Sequence, residues 1–191
     1  MEPEARSGTL TVKLSSPINI PNTLTLLRIL LTPLFAIFLI KHFTGLALLV
    51  FAIGALTDGI DGLIARLFHQ KTTLGAYLDP AADKLLLTTA FVTLAIQELV
   101  PSWLAVIVIT RDVLILFGIA LFIMTGREFQ PVPSILSKIT TVAQLACVLS
   151  VLIGNQAPRM AELQGPLFWF AAGMTMVSGF QYIYRGMNIL Q

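Results

Sequence analysis

The chain has 191 residues, of which 56% are hydrophobic and 12% are charged, and its mean hydropathy is +0.86. Soluble domains average about 25% charged and about 45–50% apolar residues, so this composition excludes an ordinary water-soluble globule. The net charge of +2 is too small to indicate a nucleic-acid-binding protein. A single cysteine, Cys147, excludes an intrachain disulfide. The composition therefore predicts an integral membrane protein.

Residues 1–16 form a polar N-terminal segment with two acidic and two basic side chains. The segment lacks a basic start followed by an apolar core and a small-residue cleavage site, so we do not expect a cleaved signal peptide. We predict a polar tail over residues 1–16 and a single membrane domain over residues 17–191.

Six apolar stretches follow the tail, and each is close to the ~20 residues that a helix needs to cross a hydrocarbon core of about 30 Å. The breaks between them hold charged residues, prolines and glycines, which end helices. Pro33, inside the first stretch, predicts a kink there or a division into a surface helix and a shorter span. The predicted fold class is all-α, with six transmembrane helices over residues 24–40, 46–67, 76–96, 103–124, 135–153 and 167–184.

The basic residues are distributed unevenly between the two sides of this predicted domain. Six spans place both termini on one side, and that side holds eight Lys and Arg residues against two on the other. Cytoplasmic segments carry the excess of basic residues, so we predict that both termini are cytoplasmic. The eight are Arg6, Lys13, Arg28, Arg66, Lys71, Arg127, Lys138 and Arg185, and the two are Lys41 and Arg159.

All five aspartates of the chain lie inside predicted spans. Each costs about 2.5–3.5 kcal/mol at a helix centre on insertion scales, so such residues face a cavity or a partner and mark a functional site. The five are Asp58, Asp61, Asp79, Asp83 and Asp112.

Four of these aspartates form two pairs. Asp58 and Asp61 are three residues apart and share a helix face, as do Asp79 and Asp83 at a spacing of four. The short connection makes the second and third spans antiparallel neighbours, so the pairs face each other near the cytoplasmic ends. Converging carboxylates stay ionised only beside a cation. Their oxygens suit Mg²⁺, Mn²⁺ or Ca²⁺, and no His/Cys set suits zinc.

Small residues and one arginine accompany the four aspartates. Gly59, Gly62, Ala65 and Gly75 leave room for a planar base or a phosphate to approach the backbone. Arg66 follows one turn after Asp61 and is placed to contact phosphate oxygens. Together these residues predict a bound pyrophosphate and metal-assisted phosphoryl transfer, so the membrane domain over residues 17–191 is also the predicted catalytic domain.

The spacing of these residues resembles that of a known family. The pattern Asp58-x2-Asp61-Gly62-x2-Ala65-Arg66-x8-Gly75-x3-Asp79-x3-Asp83 matches every fixed position of the CDP-alcohol phosphatidyltransferase signature. Three further segments resemble bacterial phosphatidylglycerophosphate synthases and eukaryotic-type cardiolipin synthases: Asn19-Ile20-Pro21-Asn22-x-Leu24-Thr25-x2-Arg28, Arg111-Asp112 and Ser137-Lys138-x2-Thr141. The resemblance covers residues 17–188.

The resemblance implies a six-helix fold, a homodimer, and two Mg²⁺ or Mn²⁺ ions, in the inner membrane of a bacterium. Asp58, Asp61 and Asp79 would bind one ion, and Asp83 would share the second ion or remove a proton from an acceptor alcohol. The alcohol attacks the β-phosphorus of CDP-diacylglycerol, and CMP leaves.

The resemblance also implies the binding site for the nucleotide lipid. The cytidine would pack against Gly62, Ala65 and Gly75, and Arg66 belongs to the same nucleotide and pyrophosphate site.

The acceptor is the open question at this stage. We rank glycerol-3-phosphate first, with Arg28, Arg111, Arg127 and Lys138 as candidates to bind its phosphate. The resembled synthases carry Lys-x-Lys-Thr at the start of the fifth helix, whereas this chain has Lys138-Ile139-Thr140-Thr141 and lacks the second lysine. This difference, together with Asp112 where those synthases often have Glu, favours phosphatidylglycerol as the alternative acceptor, as in a cardiolipin synthase.

Other interpretations compete with the enzymatic one. Intramembrane carboxylates also build ion pathways, so an ion-coupled transporter is the alternative of another class. Asp112 fits a structural role beside Arg111 as well as a functional one. For Lys84 we expect snorkelling or an interface role at least as readily as substrate contact. Helix packing is the expected role of Gly118, Gly173 and Gly179.

Overall fold

The computed structural model describes residues 20–67, 73–124, 135–154 and 162–190. Over these ranges the chain forms six α-helices and no strand. The predicted all-α fold is confirmed, and each predicted span lies within one helix. Residues 1–16 and Arg127 lie outside the described ranges. The helices are α1 (Ile20–Ile40), α2 (Thr44–Leu67), α3 (Thr73–Ile96), α4 (Ser102–Met124), α5 (Ile135–Gly154) and α6 (Gln164–Leu190).

Two helices end in the same hydrogen-bonded turn. After α1, His42 adopts a left-handed φ of 61°, and the Phe43 amide donates to the Phe38 carbonyl at 2.9 Å. After α3, Glu98 has a φ of 58°, and the Leu99 amide donates to the Leu94 carbonyl at 2.9 Å. This pattern satisfies carbonyls that a helix end leaves unpaired. It reverses the chain within a few residues at both places without a glycine.

The helices pack around one core. Helix α1 lies against both α2 and α3, α4 lies against α3 and α6, and α5 lies against α6 and α2. The centre of the core is made of buried aromatic and aliphatic side chains from α1 through α5, among them Phe35, Phe51, Phe91, Leu104 and Leu152. Because all these helices contribute to one apolar cluster, their relative positions are fixed together.

Helices α2 and α3 approach closely, as the short connection predicts. A Cβ on Gly54 would stand 2.8 Å from Leu86 Cδ2, so only glycine fits there without a shift. Gly54 lies 13 residues before the end of α2, and Leu86 lies 13 residues after the start of α3. Because these two contacting residues are equally far along the chain from residues 68–72, α2 and α3 run antiparallel as a hairpin.

Helix α1 continues through Pro33 from Ile20 to Ile40. The predicted division into a surface helix and a shorter span is therefore wrong. Next to the proline, the Thr32 hydroxyl donates a hydrogen bond of 2.9 Å to the Arg28 carbonyl.

The outside of the bundle is apolar on every helix. Large hydrophobic side chains are exposed on each of them, for example Leu30, Leu49, Val92, Phe117 and Phe180. Soluble monomers rarely expose apolar surface of this extent. Among the described residues, two helices are long and apolar enough to cross a membrane, over Thr23–Ile40 and Ile135–Gly154. Crossing by all six helices stays a prediction.

Candidate active site

The two aspartate pairs lie at the same end of the α2–α3 hairpin. Asp58 and Asp61 are nine and six residues before the end of α2, and Asp79 and Asp83 are six and ten residues after the start of α3. At about 1.5 Å per residue, all four backbone positions lie about 9–15 Å from the joined ends. The hairpin therefore brings the two pairs to one level of the bundle.

The helical turns that contain the four aspartates also contain the backbone of Gly62, Ala65, Arg66 and Gly75. The side chains of these residues and of the four aspartates are not among those the structure describes. Their predicted roles in binding metal and nucleotide therefore stay predictions.

The donor set of the hairpin fits a hard divalent cation. Helices α2 and α3 contain four aspartates and neither histidine nor cysteine. Carboxylate oxygens are the ligands that Mg²⁺ and Mn²⁺ prefer, whereas zinc sites use imidazole and thiolate. Among the described side chains there is no other group of three or more potential metal ligands. The chemistry of the hairpin thus agrees with the predicted ions.

A buried charge cluster lies beside the last of these aspartates in sequence. It consists of Lys84 on α3 and of Arg111 and Asp112 on α4. Lys84 Nζ and Arg111 Nη1 each donate to Asp112 Oδ1 at 2.8 Å. The side chains of Arg111 and Asp112 are both 4% exposed, and that of Lys84 is 21% exposed. Lys84 thus points inward to a carboxylate of the neighbouring helix, which agrees with the interface role that we expected as the alternative to snorkelling.

The guanidinium of Arg111 also connects α4 to the two last helices. Its Nη2 donates to Ser137 Oγ on α5 at 2.8 Å and to Ser178 Oγ on α6 at 2.9 Å. Ser178 did not stand out in the sequence, because nothing local distinguishes a serine that faces a charge from one that faces lipid. The general signal is that a charge inside a membrane domain requires polar partners on neighbouring helices.

A polar seam continues between α5 and α6. The Thr140 hydroxyl shares its one proton between the Leu136 carbonyl at 2.9 Å and the Met174 carbonyl at 3.1 Å. Gln144 Nε2 donates to Thr175 Oγ1 at 3.0 Å. Thr140 is fully buried. Thr140 stands where the resembled synthases have a second lysine, and in this chain it packs α5 against α6.

The candidate acceptor residues lie in different environments. Arg28 is fully buried inside the bundle, which favours an internal pocket over a lipid headgroup anchor. Arg111 is buried in the charge cluster, and Lys138, which follows Ser137, is exposed. Arg127 lies outside the described residues. The structure therefore brings Arg111 close to the start of α5, where Lys138 is found.

A groove runs between α4 and α6 on the outside of the bundle, with a volume of about 240 Å³ and Arg111 in its wall. A Cβ on Gly179 would stand 3.6 Å from Arg111 Cγ, an ordinary van der Waals distance, so the expected packing role of this glycine stays a prediction. Gly118 and Gly173 have no such neighbour within 4 Å among the described residues. The α4–α6 groove is lined by Val106, Ile107, Thr110, Arg111, Leu114, Thr175, Met176, Gly179, Phe180 and Ile183.

The chain is similar to known proteins over nearly all its length. The family model for CDP-alcohol phosphatidyltransferases matches residues 18–177. The CDP-diacylglycerol–glycerol-3-phosphate 3-phosphatidyltransferase of Bacillus subtilis is 31% identical in an alignment of 192 positions, which covers 91% of this chain and 97% of that protein. The cardiolipin synthase (CMP-forming) of Homo sapiens is 32% identical in an alignment of 195 positions, which covers 92% of this chain and 64% of that protein.

Proposed function

The chain belongs to the CDP-alcohol phosphatidyltransferase family, and on that premise we propose that it transfers a phosphatidyl group from CDP-diacylglycerol to glycerol-3-phosphate. It is an enzyme of phospholipid biosynthesis, as its relatives are, and not the ion-coupled transporter considered as an alternative. The observation that carries the proposal is the arrangement of the two aspartate pairs at one level of the α2–α3 hairpin.

In the proposed reaction, a hydroxyl oxygen of the acceptor attacks the phosphorus that bears the diacylglycerol. A new P–O bond forms, the P–O bond to CMP breaks, and CMP leaves with the bonding electrons. Asp83 takes the hydroxyl proton as general base. Arg66 and the small residues Gly62, Ala65 and Gly75 bind the pyrophosphate and the cytidine.

The four aspartates would also hold two Mg²⁺ or Mn²⁺ ions. Asp58, Asp61 and Asp79 are proposed for the first ion and Asp83 for the second. When bound, such ions neutralise the charge that develops on the leaving phosphate. Support comes from the all-carboxylate donor set of α2 and α3.

Glycerol-3-phosphate is the first-ranked acceptor because the Bacillus subtilis relative that carries this substrate in its name aligns along 97% of its length. Its phosphate requires cations. Arg111 is the best-placed one in the described structure, since it is buried and adjoins the start of α5. Lys138 is proposed as an exposed second contact and Arg28 as an internal one. Arg127 remains a candidate from the sequence.

Phosphatidylglycerol is the second candidate acceptor, and one observation favours it. A lipid acceptor must enter from the bilayer, and the α4–α6 groove opens on the apolar outside of the bundle with Arg111 in its wall. Thr140, buried against α6, offers no charge for a small anionic acceptor. Under this alternative the chain acts as a cardiolipin synthase.

We also propose the setting in which the reaction takes place. All six helices cross the inner membrane of a bacterium, and both termini are cytoplasmic. The exposed apolar side chains on every helix support membrane crossing, and the excess of basic residues supports the orientation. The active unit is a homodimer, as the family resemblance implies.

A direct assay tests the proposed function. Purified protein in detergent is given CDP-diacylglycerol with Mg²⁺ or Mn²⁺ and, in parallel, glycerol-3-phosphate, phosphatidylglycerol, inositol phosphate or serine, and CMP release is measured. We expect release with glycerol-3-phosphate. Release with phosphatidylglycerol alone would establish the second candidate, and no release with any acceptor would refute both.

A further inference from the structure

The charge cluster contains an aspartate to which no role has yet been given. Asp112 Oδ1 accepts hydrogen bonds from two cations of different helices, Lys84 on α3 and Arg111 on α4, each at 2.8 Å. Lys84 directly follows Asp83, the proposed general base. One carboxylate oxygen therefore joins the catalytic stretch of α3 to the proposed acceptor arginine on α4.

The cluster is not built for stability alone. Asp112 Oδ2 and Arg111 Nε are buried and have no hydrogen-bond partner among the described residues. A buried polar atom without a partner costs about 1–3 kcal/mol, and replacing a buried ion pair by apolar residues is often neutral or stabilising. An unpaired buried polar atom requires an explanation, such as a bound ion or a role in catalysis.

Among the described side chains, the cluster also carries an excess of positive charge and unused donors, since two cations face one carboxylate. Of the five N–H groups of an arginine, the described contacts of Arg111 use three. The Lys84 ammonium uses one of its three donors on Asp112. An anionic ligand would therefore find oriented donors, since Asp112, Ser137 and Ser178 hold the guanidinium from three directions.

From this geometry we propose that Asp112 is a positioning residue for the acceptor. Through Oδ1 it holds Arg111 and Lys84 as an oriented pair of cations that receive the acceptor's phosphate, and it thereby sets the acceptor at the level of Asp83. The proposal rests on the proposed function, because it requires an acceptor with a phosphate. Both candidate acceptors meet this requirement.

The test compares Asp112→Asn and Asp112→Glu with the wild-type protein. The amide keeps the size of the side chain but removes the charge that holds the two cations, so we expect the acceptor KM to rise about 10-fold to 100-fold. The KM for CDP-diacylglycerol should stay within about twofold. Asp112→Glu keeps the charge and should restore most of the acceptor affinity.

A control separates positioning from general loss of packing. Leu152→Ala removes a fully buried side chain from the apolar core, 15 residues along α5 from Ser137 and outside the lining of the α4–α6 groove. We expect it to lower thermal stability in detergent without changing the acceptor KM. If Asp112→Asn behaves like Leu152→Ala, Asp112 is only structural and the proposal is wrong.

Lys84→Met serves where Asp112→Asn does not yield folded protein. It removes the α3 side of the same contact and should raise the acceptor KM in the same direction. In the double variant the two effects should be less than additive, since both remove one interaction. Full additivity, or an unchanged acceptor KM, would overturn the proposal. A wild-type protein that releases no CMP would refute the proposed function itself.

Discussion

The five aspartates of this chain form two groups. Asp112 has two cations on one oxygen, each at 2.8 Å, whereas the aspartates of α2 and α3 come as two pairs of like charge on neighbouring helices. Like charges that converge in a low-dielectric site raise each other's energy unless a cation joins them. Asp112 therefore belongs to an ion-pair cluster, and the four hairpin aspartates are expected to require added cations.

This difference predicts the effect of neutralising each hairpin aspartate. Asp58→Asn, Asp61→Asn and Asp79→Asn should each lower CMP release by more than about 100-fold, because an amide is a weak ligand for a hard cation. The variants should still insert and purify. Glu98→Gln, on the exposed turn after α3, is the matched control and should keep full activity.

Two results would contradict the metal assignment: full activity in any of these three variants, or wild-type activity that persists after chelation of divalent ions.

The variant Asp83→Asn tests which of two roles Asp83 has. A variant that still binds CDP-diacylglycerol but does not turn over would support the role of Asp83 as base over its role as ligand.

Two of the proposed acceptor cations, one buried and one exposed, predict different costs when they are removed. Arg111→Ala breaks a buried pair and should lower stability by about 3–5 kcal/mol while raising the acceptor KM more than that of CDP-diacylglycerol. Lys138→Ala changes an exposed side chain and should alter stability by less than about 0.5 kcal/mol, with a smaller rise in acceptor KM. Steady-state kinetics and thermal unfolding in detergent measure both. An unchanged acceptor KM in both variants would remove them from the acceptor site.

At the scale of helices, close packing decides which glycines matter. Gly54 on α2 lies so close to α3 that a Cβ there would stand 2.8 Å from Leu86 Cδ2. Gly173 has open space where a side chain would stand and lies on an exposed part of α6. The same residue type is thus a close-packing position in one helix and a neutral one in another.

This contrast predicts the result of adding side chains at the two positions. Gly54→Val should destabilise the bundle by about 1–3 kcal/mol through overpacking, and it should lower activity because the same contact aligns the two aspartate pairs. Gly173→Val should leave both properties near wild type. Thermal unfolding in detergent measures the stability of the two variants, and CMP release measures their activity. Equal stability of the two variants would contradict the α2–α3 contact.

At the scale of the whole molecule, two features describe its position in the membrane. Trp103 near the start of α4 and Trp169 near the start of α6 have ring centroids 4.8 Å apart. Tryptophan is enriched at membrane–water interfaces, so the starts of α4 and α6 are expected at one interface. The basic residues accumulate at the opposite ends of these helices.

The orientation predicts a labelling pattern. In a Cys147→Ser background, Thr72→Cys should react with a membrane-impermeant reagent from the cytoplasmic side and Gln156→Cys from the periplasmic side. Cys147 is fully buried, so its replacement removes no surface contact. Periplasmic labelling at position 72 would reverse the topology and would place the aspartate pairs away from cytoplasmic nucleotide lipid.

The sequence by itself determined the helices and the family. Hydropathy predicted all six helices, because an apolar stretch of about 20 residues has the length of a helix that crosses a membrane. The eight-position spacing from Asp58 to Asp83 identified the family because it fixes several residue types at set intervals. Tertiary structure alone decided which residues face one another: that Lys84 turns inward to Asp112, that Ser178 completes the partners of Arg111, and that Thr140 packs against α6. Such contacts join residues up to 67 positions apart, and they depend on how the helices rotate and cross, which local sequence patterns do not encode.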